Sequence, residues 1–80
     1  MIRFRLKELI ADKEFKENRR ITIDEIATST GINRSTISKI ANHRGYNATT
    51  DVLAKLCKYF SVPLNELAEL VDTDSVNENL

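Results

Sequence analysis

The stretch GINRSTISKIANHRG, at positions 31–45, carries basic and hydrogen-bonding side chains and no acid. Arg34 can donate two hydrogen bonds to a guanine, and Lys39 can reach a guanine or a phosphate. Ser35 and Thr36 can donate, accept or meet a thymine methyl group, and they are short enough to let a helix lie deep in a groove. A carboxylate would oppose binding to a polyanion. These residue types therefore predict contacts with the base edges of double-stranded DNA.

A helix from Asn33 to about Asn42 would place these side chains on one surface. Asn33 is a favourable N-cap residue, and Ile37 and Ile40 recur at helical spacing. At about 100° per residue, Ser35 and Lys39 project to the side opposite Ile37. The pattern predicts a helix with an apolar inner face and a basic, polar outer face.

The preceding residues predict a second short helix that packs against this one. Thr22 and Glu25 have the spacing of a capping box, in which the Glu25 side chain returns to the cap. That helix can run to about Thr30, because Gly31 most easily adopts the positive φ of a sharp helix exit. With the small residue Ala27 where the backbones approach, residues 23–42 predict a helix-turn-helix.

The rest of the chain also has the apolar periodicity of helices. We expect a first helix over about 6–16, a fourth helix capped by Thr49 or Thr50, and a fifth that begins at Pro63 and carries an apolar stripe to Val71.

The two ends of the chain have other patterns. The alternation of IRFRLK at 2–7 predicts a short extended arm or strand before the first helix. We expect one domain over 1–72 and a disordered tail over 73–80. Leu67, Leu70 and Val71 fit either the core or a dimer surface.

Charge is unevenly distributed along this 80-residue chain of zero net charge. Residues 1–20 carry seven Lys and Arg against four acids, 26–50 carry three against none, and 51–80 carry two against six. A ligand at close range meets only the nearer half, so zero net charge does not exclude a nucleic-acid partner. One cysteine excludes an internal disulfide, and the lack of a long apolar run predicts a cytoplasmic protein without a membrane partner.

Catalytic chemistry has little support in this sequence. A Ser, His and acid grouping, a glycine-rich phosphate loop and a cluster of metal ligands are all missing. We predict that the protein is not an enzyme and uses no cofactor or metal. His43 is interpreted as a cap or surface residue, and Cys57 as a small buried apolar residue.

The segments ITIDEIATSTGINRSTISKIAN and TTDVLAKLCKYFSVPLNELAEL resemble the helix-turn-helix domain of the Cro and phage-repressor type, the XRE-like family. The resemblance covers roughly residues 6–71. It implies an all-α, five-helix, lambda-repressor-like DNA-binding domain from a prokaryote or phage. Proteins of this family usually bind operator DNA as dimers, with the third helix in the major groove.

The resemblance also implies particular contacts with DNA. Base contacts fall on Arg34, Ser35, Thr36 and Lys39, and phosphate contacts on Asn33, Ser38, Asn42 and Arg44. The chain departs from the family at Ile23, where a polar phosphate anchor is usual. It also has a longer link, EFKENRR, between its first two helices, which would supply Lys16, Arg19 and Arg20 as substitute phosphate contacts.

These observations predict a sequence-specific transcription regulator that represses from an inverted-repeat operator as a homodimer and is nucleoid-associated when bound. One alternative is an antitoxin that represses its own operon and has a toxin as its partner. Another is a protein-interaction module, such as an antirepressor or adaptor, that has lost DNA binding. The acid-free stretch 26–50 argues against the last alternative, and Ile23 argues for it.

Overall fold

Five helices and one two-stranded antiparallel sheet make up residues 1–71, the part of the chain that the computed structural model describes. The elements in chain order are β1 (Ile2–Phe4), α1 (Leu6–Glu17), α2 (Ile23–Thr30), α3 (Arg34–Asn42), α4 (Thr50–Phe60), α5 (Leu64–Leu67) and β2 (Ala68–Leu70). The predicted all-α class and helix-turn-helix are confirmed. The predicted tail at 73–80 lies outside the described residues.

The helix starts follow the capping residues identified in the sequence. Each cap is a hydrogen bond from a backbone N–H to a side-chain oxygen: Glu25 to Thr22 at 3.1 Å, Ser35 to Asn33 at 2.7 Å and Val52 to Thr49 at 3.2 Å. Gly31 has φ +76° and its N–H donates to the Ala27 carbonyl at 2.8 Å, so α2 ends in the left-handed turn expected of glycine. These local signals therefore fix the relation between α2 and α3.

The core is made of aliphatic side chains that the helices direct inward. Among residues 1–71, each helix contributes one completely buried side chain. These are Leu6, Ile26, Ile37, Leu56 and Leu67, from α1 to α5 in order. Ile40 is also buried, and Ala27 packs partly buried against this cluster. The inner face of α3 is therefore held by the core, and its outer face is left for other contacts.

The sheet joins the two ends of the described chain. Ile2 pairs with Leu70, Arg3 with Glu69 and Phe4 with Ala68, and Val71 N–H donates to the Met1 carbonyl at 2.8 Å. The expected arm or strand at 2–7 is therefore a strand over Ile2–Phe4 that pairs within its own chain.

The expected apolar helical stripe from Pro63 to Val71 is wrong beyond Leu67. Helix α5 ends there because Ala68–Leu70 forms β2 against β1, and the Leu67 carbonyl accepts a hydrogen bond from Arg5 N–H at 2.7 Å. Leu67 is fully buried and belongs to the core, whereas the Leu70 side chain is 77% exposed. Within residues 1–71, each helix is too short or too polar to cross a membrane.

Candidate nucleic-acid interface

Helix α3 has one apolar face in the core and one polar face in solvent. Ile37 is fully buried and fixes the rotation of the helix about its axis. On the other side, Arg34, Ser35 and Lys39 are exposed, and Thr36 is partly buried on the flank. The four residues predicted as base contacts thus belong to one helix, and the side chains of three of them are exposed to solvent.

Residues predicted as phosphate contacts lie at both ends of α3. Asn33 caps the N-terminal end through its Oδ1 atom. At the C-terminal end, Asn42 Nδ2 donates to the Ser38 carbonyl at 3.0 Å, and Arg44 is exposed in the loop that follows. Ser38 is partly buried. The structure therefore places polar groups at both ends of the helix.

Arg34 carries an ion pair that the sequence did not reveal. Its Nε atom lies 3.1 Å from Oδ1 of Asp24, and the two side chains are 71% and 67% exposed. Asp24 is in the first turn of α2 and Arg34 is in the first turn of α3. The tight turn at Gly31 brings these two first turns together. The sequence signal for this pair is an acid in the first turn of the first helix and a base in the first turn of the second helix of a predicted helix-turn-helix.

Arg19 occupies a more restricted environment in the link between α1 and α2. Its Nη1 and Nη2 atoms donate to both carboxylate oxygens of Glu25 at 2.8 and 2.7 Å, and its Nε donates to Glu17 at 2.9 Å. The hydrogen bond from Arg19 lowers the pKa of Glu25, and the bond to Glu25 raises the pKa of Arg19. The predicted return of Glu25 to its cap is wrong, because its oxygens are occupied by Arg19.

The remainder of the α1–α2 link is ordered by hydrogen bonds between side chains and backbone groups. Ile21 N–H donates to the Glu14 carboxylate at 2.9 Å, and Arg19 Nη1 lies 3.4 Å from the Arg20 carbonyl. Arg20 itself is exposed. Of the two arginines predicted as substitute phosphate contacts, Arg20 is thus in the open and Arg19 is bound to two carboxylates.

A groove of about 400 Å³ adjoins the C-terminal end of α3. Strand β1 and Val71 line one side, and the segment from Ile40 to Gly45 lines the other. His43 is the C-cap residue of α3, as expected from the sequence. Its ring meets the Tyr46 ring edge to face, with ring centroids 6.2 Å apart. The sheet and the C-terminal end of α3 therefore lie on either side of the same groove.

Two short helices in this arrangement, with a polar outer face on the second, agree with the result of comparison with known families. A sequence model of the Cro/C1-type HTH DNA-binding domain matches residues 5–73. No curated protein matches the chain. The family match covers both helices of the helix-turn-helix, the core residue of each of the five helices and all of the predicted contact residues. The chain therefore belongs to the Cro/C1-type helix-turn-helix family of DNA-binding transcription regulators.

Proposed function

We propose that the protein is a repressor that recognises an inverted-repeat operator through α3. The observation that carries the proposal is the outer face of α3, where Arg34, Ser35 and Lys39 are exposed opposite the buried Ile37. No acid occurs from 26 to 50, so α3 itself adds no carboxylate that would oppose the DNA backbone, and the Asp24 carboxylate beside it is paired with Arg34.

The N-terminal half of α3 is the part that reads bases. A helix that enters the major groove end-on touches base edges mainly with its first turns. Arg34 is in the first turn, where its guanidinium can donate to N7 and O6 of one guanine. Ser35 and Lys39 contact the neighbouring bases, and the partly buried Thr36 offers its methyl group to a thymine.

Phosphate contacts then set the position of the helix along the groove. Asn33 at one end and Asn42 and Arg44 at the other approach the backbone on either side of the groove. Ser38 and Arg20 add flanking contacts. Two protein copies on a symmetric site would place their α3 helices about 34 Å apart, one turn of DNA, and would exclude polymerase from an overlapping promoter.

Selection of bound duplexes from a randomised library tests this proposal directly. The parent protein and an Arg34→Ala variant are carried through the same rounds at about 0.15 M salt, and the bound DNA is sequenced. We expect the parent to enrich an inverted repeat and the variant to lose the preference for one base pair in each half. Enrichment of a single half-site would replace the dimer with a monomer, and no enrichment would overturn DNA recognition by α3.

A second candidate function, a protein-interaction module, is favoured by Ile23. This residue packs partly buried against the core at the start of α2, where a polar phosphate anchor is usual in the family. If Ile23 removes an essential anchor, an Ile23→Gln variant should bind DNA measurably while the parent does not. Measurable DNA binding of equal affinity by the two proteins would dismiss this candidate.

A further inference from the structure

The ion pair between Asp24 and Arg34 spans the two helices of the helix-turn-helix on its exposed side. We propose that Asp24 is a specificity-determining residue, which orients Arg34 for base readout and reduces the attraction of Arg34 for any other part of DNA. This inference rests on the proposed function, since it requires Arg34 to contact a base.

The atoms of the contact leave the readout edge of Arg34 available. Asp24 Oδ1 approaches Nε, 3.1 Å away. A bidentate contact with guanine needs two parallel N–H groups, and the Nη1 and Nη2 pair supplies them at the far edge of the guanidinium. Arg34 can therefore keep Asp24 on one edge and take a guanine on the other. A side chain that is already held loses less conformational freedom on binding.

The charge of Asp24 acts in the same direction. Its carboxylate lies in the first turn of α2, where the helix dipole favours a negative charge. Paired with Asp24, Arg34 presents no net charge to a distant phosphate. Binding without sequence preference depends on such charges, whereas a guanine edge also offers directed hydrogen bonds. The pair thus weakens non-specific binding more than operator binding, as in recognition that combines an attractive and a repulsive element.

The fold does not need this ion pair to bring α2 and α3 together. Thr22 and Asn33 cap the two helices, and Gly31 makes the turn between them. Ile26 and Ile37 are fully buried beneath them. Pairs between exposed side chains contribute little to stability, because water screens them and ordering both side chains is unfavourable. A substitution at Asp24 should therefore leave the structure intact and change only recognition.

The test compares Asp24→Asn with a charge-matched control, Asp12→Asn. Asp12 is exposed on α1, and its substitution removes the same charge without breaking the ion pair between Asp24 and Arg34. The selected operator, an operator with the guanine contacted by Arg34 replaced and an unrelated duplex are titrated with each variant. We expect Asp24→Asn to lower the ratio of operator affinity to unrelated-duplex affinity by about 3- to 30-fold, which lies within the coupling measured between residues in direct contact, and Asp12→Asn to leave that ratio unchanged. Asp24→Glu, which keeps the charge, should recover part of the ratio.

A double substitution separates an action through Arg34 from a general effect of charge. In an Arg34→Ala background, Asp24→Asn should no longer alter the ratio. Equal changes from Asp24→Asn and Asp12→Asn, or the same effect with and without Arg34, would overturn the inference alone. Failure of the parent protein to prefer any operator would instead overturn the proposed function and this inference with it. Melting temperatures equal to the parent's confirm that each variant is folded.

Discussion

Arg34 and Arg19 are both bound by carboxylates from the first turn of α2, but they differ in how many carboxylate contacts each must break to reach DNA. Within residues 1–71, Arg34 makes one ion pair, with Asp24, and its side chain is 71% exposed. Arg19 gives hydrogen bonds to Glu25 and Glu17 and is 47% exposed. Two neighbouring acids in one helical turn thus bind two arginines differently, Asp24 through one oxygen and Glu25 through both.

The difference shows that residue type alone does not make an arginine available to a ligand. Arg34 keeps one edge of its guanidinium for a base. All three nitrogens of Arg19 donate to carboxylates, and these contacts connect the end of α1 to the start of α2. We therefore assign Arg34 to recognition and expect Arg19 to act mainly in joining the two helices.

The largest expected effect is that of Arg34→Ala on operator binding. Loss of a bidentate guanine contact should weaken binding by about 1–3 kcal/mol and relax the preference at one base pair. The melting temperature should remain close to the parent's, since the lost ion pair is exposed. Titration of operators substituted one base pair at a time measures the loss of affinity and the change in base-pair preference. An equal loss on every sequence would make Arg34 a phosphate contact and would remove the contrast with Arg19.

The next effect concerns the turn that brings Arg34 beside Asp24. Gly31→Val should destabilise the protein by about 1–2 kcal/mol, because a residue with a side chain resists positive φ. A Cβ atom at Gly31 would meet nothing within 4 Å, so the loss comes from the backbone and not from a clash. Chemical denaturation gives the value, and Gly31→Asn, whose side chain tolerates positive φ, is the matched control that should lose less stability. Stability equal to the parent's would show that the turn does not need a left-handed residue.

A smaller effect separates Arg19 from Arg20 in the α1–α2 link. Arg20→Ala should reduce the slope of log affinity against log salt by about 0.9, the value for one lost phosphate contact. Arg19→Ala should change that slope less, because Arg19 must leave two carboxylates to reach a phosphate. Binding titrations over a range of salt concentrations make the comparison. A larger change from Arg19→Ala would return Arg19 to the phosphate contacts predicted from the sequence.

The smallest effect is on stability and its dependence on pH. Arg19→Ala should lower the melting temperature at neutral pH. The pKa of Glu25 is lowered from its ordinary value of 4.5 by Arg19, so the stabilisation is present above pH 4.5 and is lost as the pH falls through the lowered pKa. The difference between variant and parent should therefore shrink below pH 4.5, as followed by thermal melts. Arg20→Ala is the control, and a difference that persists at acid pH would rule out the Glu25 contact.

Much of the helix-turn-helix could be predicted because its signals are local. Thr22 and Asn33 each lie within three residues of the N–H groups that they cap, and Gly31 acts on its own φ. Ile37 and Ile40 define the inner face of α3 by spacing alone, so the outer face followed from them.

The features that the sequence did not reveal depend on contacts between distant residues. Helix α5 has the apolar spacing of a longer helix, but Arg3 and Glu69 are 66 positions apart and only the fold shows that their strands pair. The partners of Arg19 and Arg34 likewise follow from how α2 sits beside its neighbours. The sequence predicted that Arg34 and Arg19 lie on the surface, whereas their ion-pair partners could be identified only from the three-dimensional arrangement.

The pairing of β1 with β2 has a practical consequence for work with this protein. Met1 and Val71 are hydrogen-bonded to each other and line the same groove as Asn42 and Arg44. An affinity tag joined before Met1 would start beside the end of α3 that we expect to grip the DNA backbone. A polyhistidine or lysine-rich tag there would add its own attraction for phosphate and mask differences among the variants. Binding constants for this protein should therefore come from preparations from which the tag has been cleaved.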